Sequence, residues 1–489
     1  NLDTVDKVAV VGAGMGGLAV AARLAAKRHD VTVFEQFSGP GGKNAGLRRD
    51  GFGFDLGPST LTLPAVYRDL FLKTGRSLED SVDLQEVDPA FAYHFADGSR
   101  ATLPGAGIGA CAHAVGQAFG GDSEYEWRTL LRRAADIWAL TRQDVLGTAL
   151  TGYRDLLPLA RSRKSLRTVA PWQSMRSLGN ATLSDPRARM MLDRYATYTG
   201  SDPRRSPAAL VTIPFVEQAF GVWHIGGGLH TLAAALFERC LQLGVTFHFD
   251  TWVEQITTDA GGVTGVIAAG HQRFDLVVAD ADARTVYDTL VTDRRAKTAR
   301  RRLGRMQPSF SGFVMLLAVD GTTPGIRHHN VWFPADYDAE FDGLFSSSPV
   351  PLPDPAIYAC VPDDPTMRPA GSEAWFVLIN AAAGMSWDDG GQAYADHILA
   401  VLARRGVDLR GRLRWREIRT PVDLERTTVS PGGSIYGMSS NGRTSTALRP
   451  GNRSAVPGLF LVGGSAHPGG GLPLVGMGAE IVADEIGRA

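Results

Sequence analysis

Gly12, Gly14 and Gly17, with Gly16 between the last two, follow directly on the apolar run Val8-Ala9-Val10-Val11. Such a run reads as a strand buried on both faces of a parallel sheet. Leu18, Ala21, Ala22 and Ala25 then recur at helical spacing, and Val31 to Glu35 reads as a second strand ending in an acid. The chemistry this spacing allows is the holding of a diphosphate. Gly12 permits the tight turn, Gly14 lets backbone approach a pyrophosphate, and Gly17 lets the helix pack closely on the strand, while the helix N-terminus offers unpaired N–H groups. Glu35, 18 residues beyond Gly17, stands where an acid accepts hydrogen bonds from ribose hydroxyls. The expectation is a dinucleotide-binding βαβ start.

Two more glycine loops follow, Gly41-Gly42-Lys43 and the stretch from Gly51 to Gly57-Pro58. A nicotinamide-binding domain would continue with further βα units here. Loops instead suit the remaining phosphate and the ribityl chain of a flavin lying extended along the domain. Near the C-terminus, Ala455 to Ala479 holds 25 residues without Asp, Glu, Lys or Arg. Its eight Gly and three Pro exclude a membrane-spanning helix, because nothing in hydrocarbon replaces the backbone hydrogen bonds they break. It reads as a strand, a glycine-rich loop over Gly463 to Gly471, and a helix start near Leu472.

The elements that must position these loops come from a chain of 489 residues, enough for two to four domains and a large core. Hydrophobic residues make up 44% and the net charge is −1, which excludes a disordered chain and a wholesale nucleic-acid binder. Cys111, Cys240 and Cys360 lie far apart, so no metal-binding spacing or disulfide framework is visible and buried free thiols are expected. From about Ser99 to Leu210 the pattern is helical and arginine-rich. Between Arg154 and Arg176, Arg154, Arg161, Arg163, Lys164, Arg167 and Arg176 face one acid, Asp155, interleaved with apolar residues from Leu156 to Met175. That mixture suits a helix lying on anionic lipid. A second basic run, Arg294 to Arg305, reads as a solvated helix.

Nucleotide-binding character returns from Pro214, with Gly226-Gly227-Gly228, a helix over Leu232 to Leu243, a hairpin through Gly261-Gly262 and a strand over Phe274 to Asp282. Phe310 to Val319 and Ala374 to Asn380 read as strands of a second, mixed sheet. The segments 1–98, 212–290 and 440–489 therefore form one discontinuous nucleotide-binding domain. Residues 99–211 form a helical, partly membrane-facing region, and 291–439 a mixed-sheet substrate domain.

In this order the motifs resemble the bacterial and fungal phytoene desaturase family of flavoproteins. The resemblance rests on Val10 to Leu18 with Glu35 and Gly41-Gly42-Lys43, on Phe54 to Pro58, and on Gly221-Val-Trp223. It continues in Leu448-Arg-Pro450 with Asn452-Arg453 and in Leu461 to Pro473, so that it spans almost the whole chain. His467 to Pro473 is the most specific of these motifs. The resemblance implies an α/β fold: a Rossmann-like, glutathione-reductase-type FAD domain, discontinuous, with an inserted mixed α+β substrate domain and a helical membrane-associated segment. It implies FAD held by Gly12, Gly14, Met15, Gly16, Gly17, Glu35, Gly41, Gly42, Lys43, Gly57, Pro58, Val253, Gly463, Gly464, Gly471, Leu472 and Pro473. His467, followed by Pro and three Gly, reads as a loop-shaping residue.

The activity implied is dehydrogenation of a long acyclic carotenoid such as phytoene, diapophytoene or a hydroxylated carotene. Hydride passes to flavin, a proton is lost, and oxygen or a quinone takes the electrons. Isomerisation, 3,4-desaturation and ketolation are alternatives on the same framework, and the polar run Ser434 to Gly442 hints at a partly oxygenated substrate. A non-redox prenyl-lipid escort of the Rab GDP-dissociation inhibitor kind shares the fold, but the intact glycines and Glu35 argue against it. Asp155 and Glu217 are the candidate proton acceptors, although a plain surface carboxylate is the simpler reading of each. Pro158 stands where the family pattern has a basic partner for Asp155. The expected location is the cytoplasmic face of the cell membrane, with the basic segment Val145 to Leu178 as a lid.

Overall fold

Strand Lys7–Val11 lies at the centre of a five-stranded sheet in the computed structural model, which describes residues 5–150, 155, 162–387, 390–442, 445 and 449–489. The order is Leu459–Leu461, Leu276–Ala279, Lys7–Val11, Asp30–Phe34, Thr246–His248, and every pairing is parallel. Val8, Ala9 and Val10 are wholly buried, as the unbroken apolar run requires of a strand covered on both faces. Helices Met15–Ala26, His230–Gln242 and Leu472–Ile486 cover one face, bringing Leu18, Leu24, Leu232, Leu236, Ala479 and Val482 into a single core. The five strands come from three separate stretches of chain. The uncharged C-terminal stretch is a strand, a loop and a helix. Among the described residues no helix is long and apolar enough to cross a membrane.

The second sheet has seven strands in the order Leu413–Arg419, Ser311–Asp320, Ser372–Ala381, Ile357–Cys360, His329–Trp332, Phe91–His94, Arg100–Leu103. It is mixed: only His329–Trp332 and Phe91–His94 run parallel. Its two longest strands pair along their whole length, from Ser311 opposite Ala381 to Asp320 opposite Ser372. Side chains alternate between two cores. Phe313, Met315, Leu317, Trp375 and Val377 pack under helix Gly391–Arg404, while Val314, Leu316, Ala318, Phe376 and Tyr358 face the helical region. Both faces are buried, and so these strands lack polar and apolar alternation.

Residues 91–103 depart from the sequence reading. Phe91–His94 pairs with the second sheet rather than the nucleotide-binding one, and Arg100–Leu103, read as the start of the helical region, is its edge strand. The signal was local: Asp97-Gly98 between two short runs, with Gly98 at φ 83° and Asp97 Oδ1 accepting the Ser99 N–H. Helices follow from Ile108–Phe119 and Ser123–Thr141 to Thr212–Phe220. Trp127, Leu130, Leu131, Ala134 and Ile137 line the inner stripe of Ser123–Thr141, and Trp127 Nε1 donates to Gln218 Oε1 at 2.9 Å. The basic run 294–305 is a short 3-10 turn and helix Lys297–Leu303, with Arg294 and Arg301 at its surface. Arg154, Arg161 and Leu156 to Leu159 lie outside the described residues.

Candidate active site

The first glycine turn is shaped by what lies behind it. Gly12 has φ 104°, a conformation that disfavours any side chain, and its N–H donates to Phe34 O at 2.8 Å. A Cβ on Gly17 would stand 2.0 Å from Gly12 O, so this glycine serves close helix-to-strand packing, as its place in the motif predicts. Gly14 does something the motif does not announce. A Cβ there would stand 2.6 Å from Asp280 Oδ2, the carboxyl at the end of the neighbouring strand Leu276–Ala279. Asp280 is half-buried on the cavity wall, Oδ2 has no hydrogen-bond partner, and desolvation pushes its pKa up to about 7 against the Gly17 and Gly14 backbone N–H groups and Lys43.

Glu35 ends the second strand, buried at 7% exposure. Its Oε2 accepts the Ala13 N–H at 2.7 Å and Oε1 accepts the Phe37 N–H at 3.0 Å. A carboxylate has about four acceptor positions, so two remain for ribose hydroxyls. The later glycine loops close around the first. Gly14 bridges Gly41, a Cβ on Gly57 would fall 1.8 Å from Lys43 O, and Lys43 Nζ donates to Ser434 O at 3.1 Å and Ile435 O at 2.9 Å. Burial lowers the Lys43 pKa, opposed by Asp282 and Asp280. Helix Leu472–Ile486 begins here after Gly471, at φ 100°. Its first turn therefore presents free N–H groups.

These loops open into a single cavity of about 790 Å³. It is lined by Gly12, Gly14, Met15, Gly16, Glu35, Gly41, Gly42 and Lys43, by Gly57, Pro58 and Val253, and by Gly463, Gly464, Gly471, Leu472 and Pro473. Of the expected cofactor residues only Gly17 stands behind the wall. The donor set fits a dinucleotide: acceptor positions for a ribose, a backbone turn for a diphosphate and a helix start beside it. Away from the loops the wall becomes apolar, with Trp138, Val145, Leu146, Leu166 and Val169 from the helical region, Val314, Phe376 and Leu378 from the second sheet, and Phe310 just before its strand Ser311–Asp320.

One carboxyl, Glu217, stands in the apolar half of that wall. Helix Thr212–Phe220 carries it, and it is buried at 3% exposure, which corrects the simpler reading of a surface carboxylate. Tyr195 Oη donates to Oε1 at 2.5 Å and Tyr198 Oη to Oε2 at 3.5 Å. Burial pushes its pKa up to about 7, against the two phenols and the Arg194 charge. Asp155 is half-buried and does not line the cavity, so the structure separates the two candidate acids. His467 is buried off the wall, with Nε2 3.0 Å from Thr148 O.

Sequence reading missed Asp280 as the reason for Gly14, and missed Arg194, Tyr195, Tyr198 and Tyr358 on or beside the apolar wall. Arg194 lies over the Tyr198 ring at 5.6 Å and the Tyr358 ring at 5.2 Å, and the Tyr358 hydroxyl lies 2.7 Å from Ser59 Oγ. No short motif joins them, because they arrive from separate elements.

Comparison with known proteins matches residues 15–486 to the family described as flavin containing amine oxidoreductase. A zeta-carotene-forming phytoene desaturase of Myxococcus xanthus is 33% identical, covering 98% of this chain and 93% of its own length. A 4,4'-diapolycopene oxygenase of Methylomonas sp is 30% identical with 99% of each covered, and a 1-hydroxycarotenoid 3,4-desaturase of Flavobacterium sp. (strain P99-3) is 29% identical. Among solved structures, an oxidoreductase from Methanosarcina mazei aligns at TM-score 0.64 with 18% identity, over 98% of this chain and 100% of that one. Putrescine oxidase bound to putrescine aligns at 0.63 with 15% identity, over 99% of each. These structures share the fold.

Proposed function

The chain belongs to the flavin containing amine oxidoreductase family and, within it, to the carotenoid desaturases; from that premise we propose that it dehydrogenates a long acyclic polyene with FAD. The observation that carries the reading is one cavity with a dinucleotide cradle at one end, an apolar wall at the other and a buried carboxyl in that wall. When bound, FAD supplies the acceptor for the hydride. Gly12, Gly14, Glu35 and the Leu472 helix start hold its phosphates and ribose. The apolar wall aligns the polyene and excludes water, and Glu217 takes the proton from the carbon next to the one losing hydride. A carbon–carbon double bond forms between them. Tyr195 and Tyr198 hold the Glu217 carboxylate in place through their hydroxyls. A quinone or oxygen is the final electron acceptor in this reading.

Helix Arg163–Val169 supports a membrane-facing mouth for the cavity. Leu166 and Val169 line the cavity, while Arg163, Lys164 and Arg167 are exposed and the nearby Trp172 is 52% exposed. Basic heads outside and apolar residues inside suit a helical lid resting on anionic lipid. Replacing the three basic residues with Ser is expected to abolish co-sedimentation with anionic vesicles; unchanged partitioning removes the lid from the mechanism.

Expression in cells that make phytoene, diapophytoene or hydroxylated acyclic carotenoids, followed by pigment analysis, tests the whole reading. Products with added double bonds support it. Unaltered pigment in all three hosts, or purified protein that releases no FAD on denaturation, overturns it and leaves a lipid escort.

A further inference from the structure

Behind the cavity wall, the seven-stranded sheet gathers three side chains able to ligate a metal. His329 and Cys360 are cross-strand partners in the antiparallel pair of His329–Trp332 with Ile357–Cys360, so both side chains leave the sheet on one face. His328 precedes His329, and one ligand atom from each of His328, His329 and Cys360 lies within 4.8 Å of the other two. None of the three lines the cavity. No short spacing announces the set, because strand register brings Cys360 to the two histidines.

The histidines are held as metal ligands are held. His329 is wholly buried, its Nδ1 lies 2.9 Å from Tyr358 Oη, and its Nε2 has no hydrogen-bond partner. A ligating imidazole is typically fixed through one ring nitrogen and binds through the other. Tyr358 Oη also lies 2.7 Å from Ser59 Oγ. It can accept the Nδ1 proton of His329 and donate its own to Ser59, which leaves a lone pair on Nε2. A buried polar atom left unmet is costly, and a bound ion would remove that cost. His328 packs between His329 and His224, with ring centroids 4.5 Å and 5.0 Å away, and His224 is held in turn by Asp364, Nε2 to Oδ2 at 3.0 Å. His328 is half-buried while His329 and Cys360 are buried, so the side of His328 gives an ion its way in.

We propose that His328, His329 and Cys360 bind one zinc ion. Two imidazoles and a thiolate suit zinc, and a water takes the fourth tetrahedral position. With Zn–N about 2.0 Å and Zn–S about 2.3 Å, tetrahedral ligand atoms stand roughly 3.3–3.6 Å apart. The widest separation of 4.8 Å therefore closes by about 1 Å on binding, a change within the reach of side-chain torsions. As the sulfur bonds to the metal, the Cys360 S–H bond breaks and its proton passes to water; nothing is oxidised or reduced. Asp364 acts on His328 and Asp55 on Cys360, which offsets the positive charge of Arg194 acting on His329. The ion ties strand His329–Trp332 to Ile357–Cys360. Through His329 it also fixes Tyr358, which lines the cavity.

The test uses the FAD-loaded full chain, stripped of loosely held metal with a chelator and then titrated with zinc chloride while flavin content is followed. Elemental analysis after gel filtration should find one zinc for each chain. Cobalt(II) in its place should give a thiolate-to-metal charge-transfer band, read as a difference spectrum against the flavin. Cys360→Ser and His329→Gln should each weaken zinc binding about 100-fold or more with flavin retained. Tyr358→Phe, which removes the hydroxyl partner of Nδ1, should weaken it about ten- to a hundredfold. Cys240→Ser, at the thiol whose Sγ lies 3.4 Å from Leu18 O, should bind zinc as the wild type does. A wild-type chain that takes up no zinc, or takes up cobalt without the thiolate band, overturns the proposal whether or not the variants fold. So does zinc that survives both Cys360→Ser and His329→Gln, or that leaves with Cys240→Ser. None of these readouts involves the polyene, so zinc binding and the dehydrogenase reading can fail separately.

Discussion

The two ends of the cavity are built from different materials. The dinucleotide end is made of backbone: glycine turns, a helix start, and one carboxylate fixed by two backbone N–H groups. The apolar end is made of side chains from the helical region and the seven-stranded sheet, with Glu217, Arg194 and their tyrosines set among hydrocarbon groups. Backbone geometry tolerates almost no substitution, because an added Cβ strikes a fixed atom. A side-chain wall can be altered one group at a time. Damage at the first end should therefore remove the cofactor, and damage at the second should change chemistry or selectivity with the cofactor in place.

The largest effect belongs to the backbone end. Gly17→Val would drive a Cβ into Gly12 O, 2.0 Å away, so the helix must shift off the strand. The purified variant is expected to carry no flavin by absorbance and to have no activity; a yellow, active variant would break the contrast. Next comes Glu217→Gln. Loss of a general base should lower kcat on the order of 100-fold, with flavin content unchanged. Full activity in that variant would move the proton acceptor elsewhere.

A smaller effect comes from the same carboxyl. Burial holds the Glu217 pKa near 7, above the ordinary carboxylate range. A base must be ionised to work, so activity should rise with pH up to about 7 and level off above it, falling about tenfold per unit below. The residual rate of Glu217→Gln should lack that step. The smallest effect is at the mouth. Arg167→Ser should weaken binding to anionic vesicles about fivefold, as expected for roughly 1 kcal/mol per basic residue, and should leave turnover in detergent untouched.

The same contrast explains what could be read in the sequence. The cradle was legible from Gly12 to Glu35 because a βαβ turn fixes residue types at short, regular spacing, and all but one of its predicted residues line the cavity. Gly17, the exception, does the packing its place in the motif implies. The role of Gly14 was only half legible, since Asp280 comes from a strand far along the chain. At the apolar end, Glu217 could be picked out as an acid near Gly221-Val-Trp223, but its burial could not. That depends on Tyr195 and Tyr198 folding back over it. Arg194 and Tyr358 gave no signal, because their contact is made by a helix end meeting a sheet. The hairpin over residues 91–103 was missed for a different reason: its strands are four residues each, shorter than a periodicity can establish.

One cavity is held to bring a flavin and a polyene together for dehydrogenation, and the most direct test is anaerobic mixing of the FAD-loaded protein with an acyclic carotene. Flavin absorbance and polyene spectrum are followed in the same cuvette. Oxidised-flavin absorbance should fall in step with a red shift of the polyene, one new double bond for each flavin reduced. Polyene that binds while the flavin stays oxidised and the chromophore unchanged would contradict a dehydrogenase.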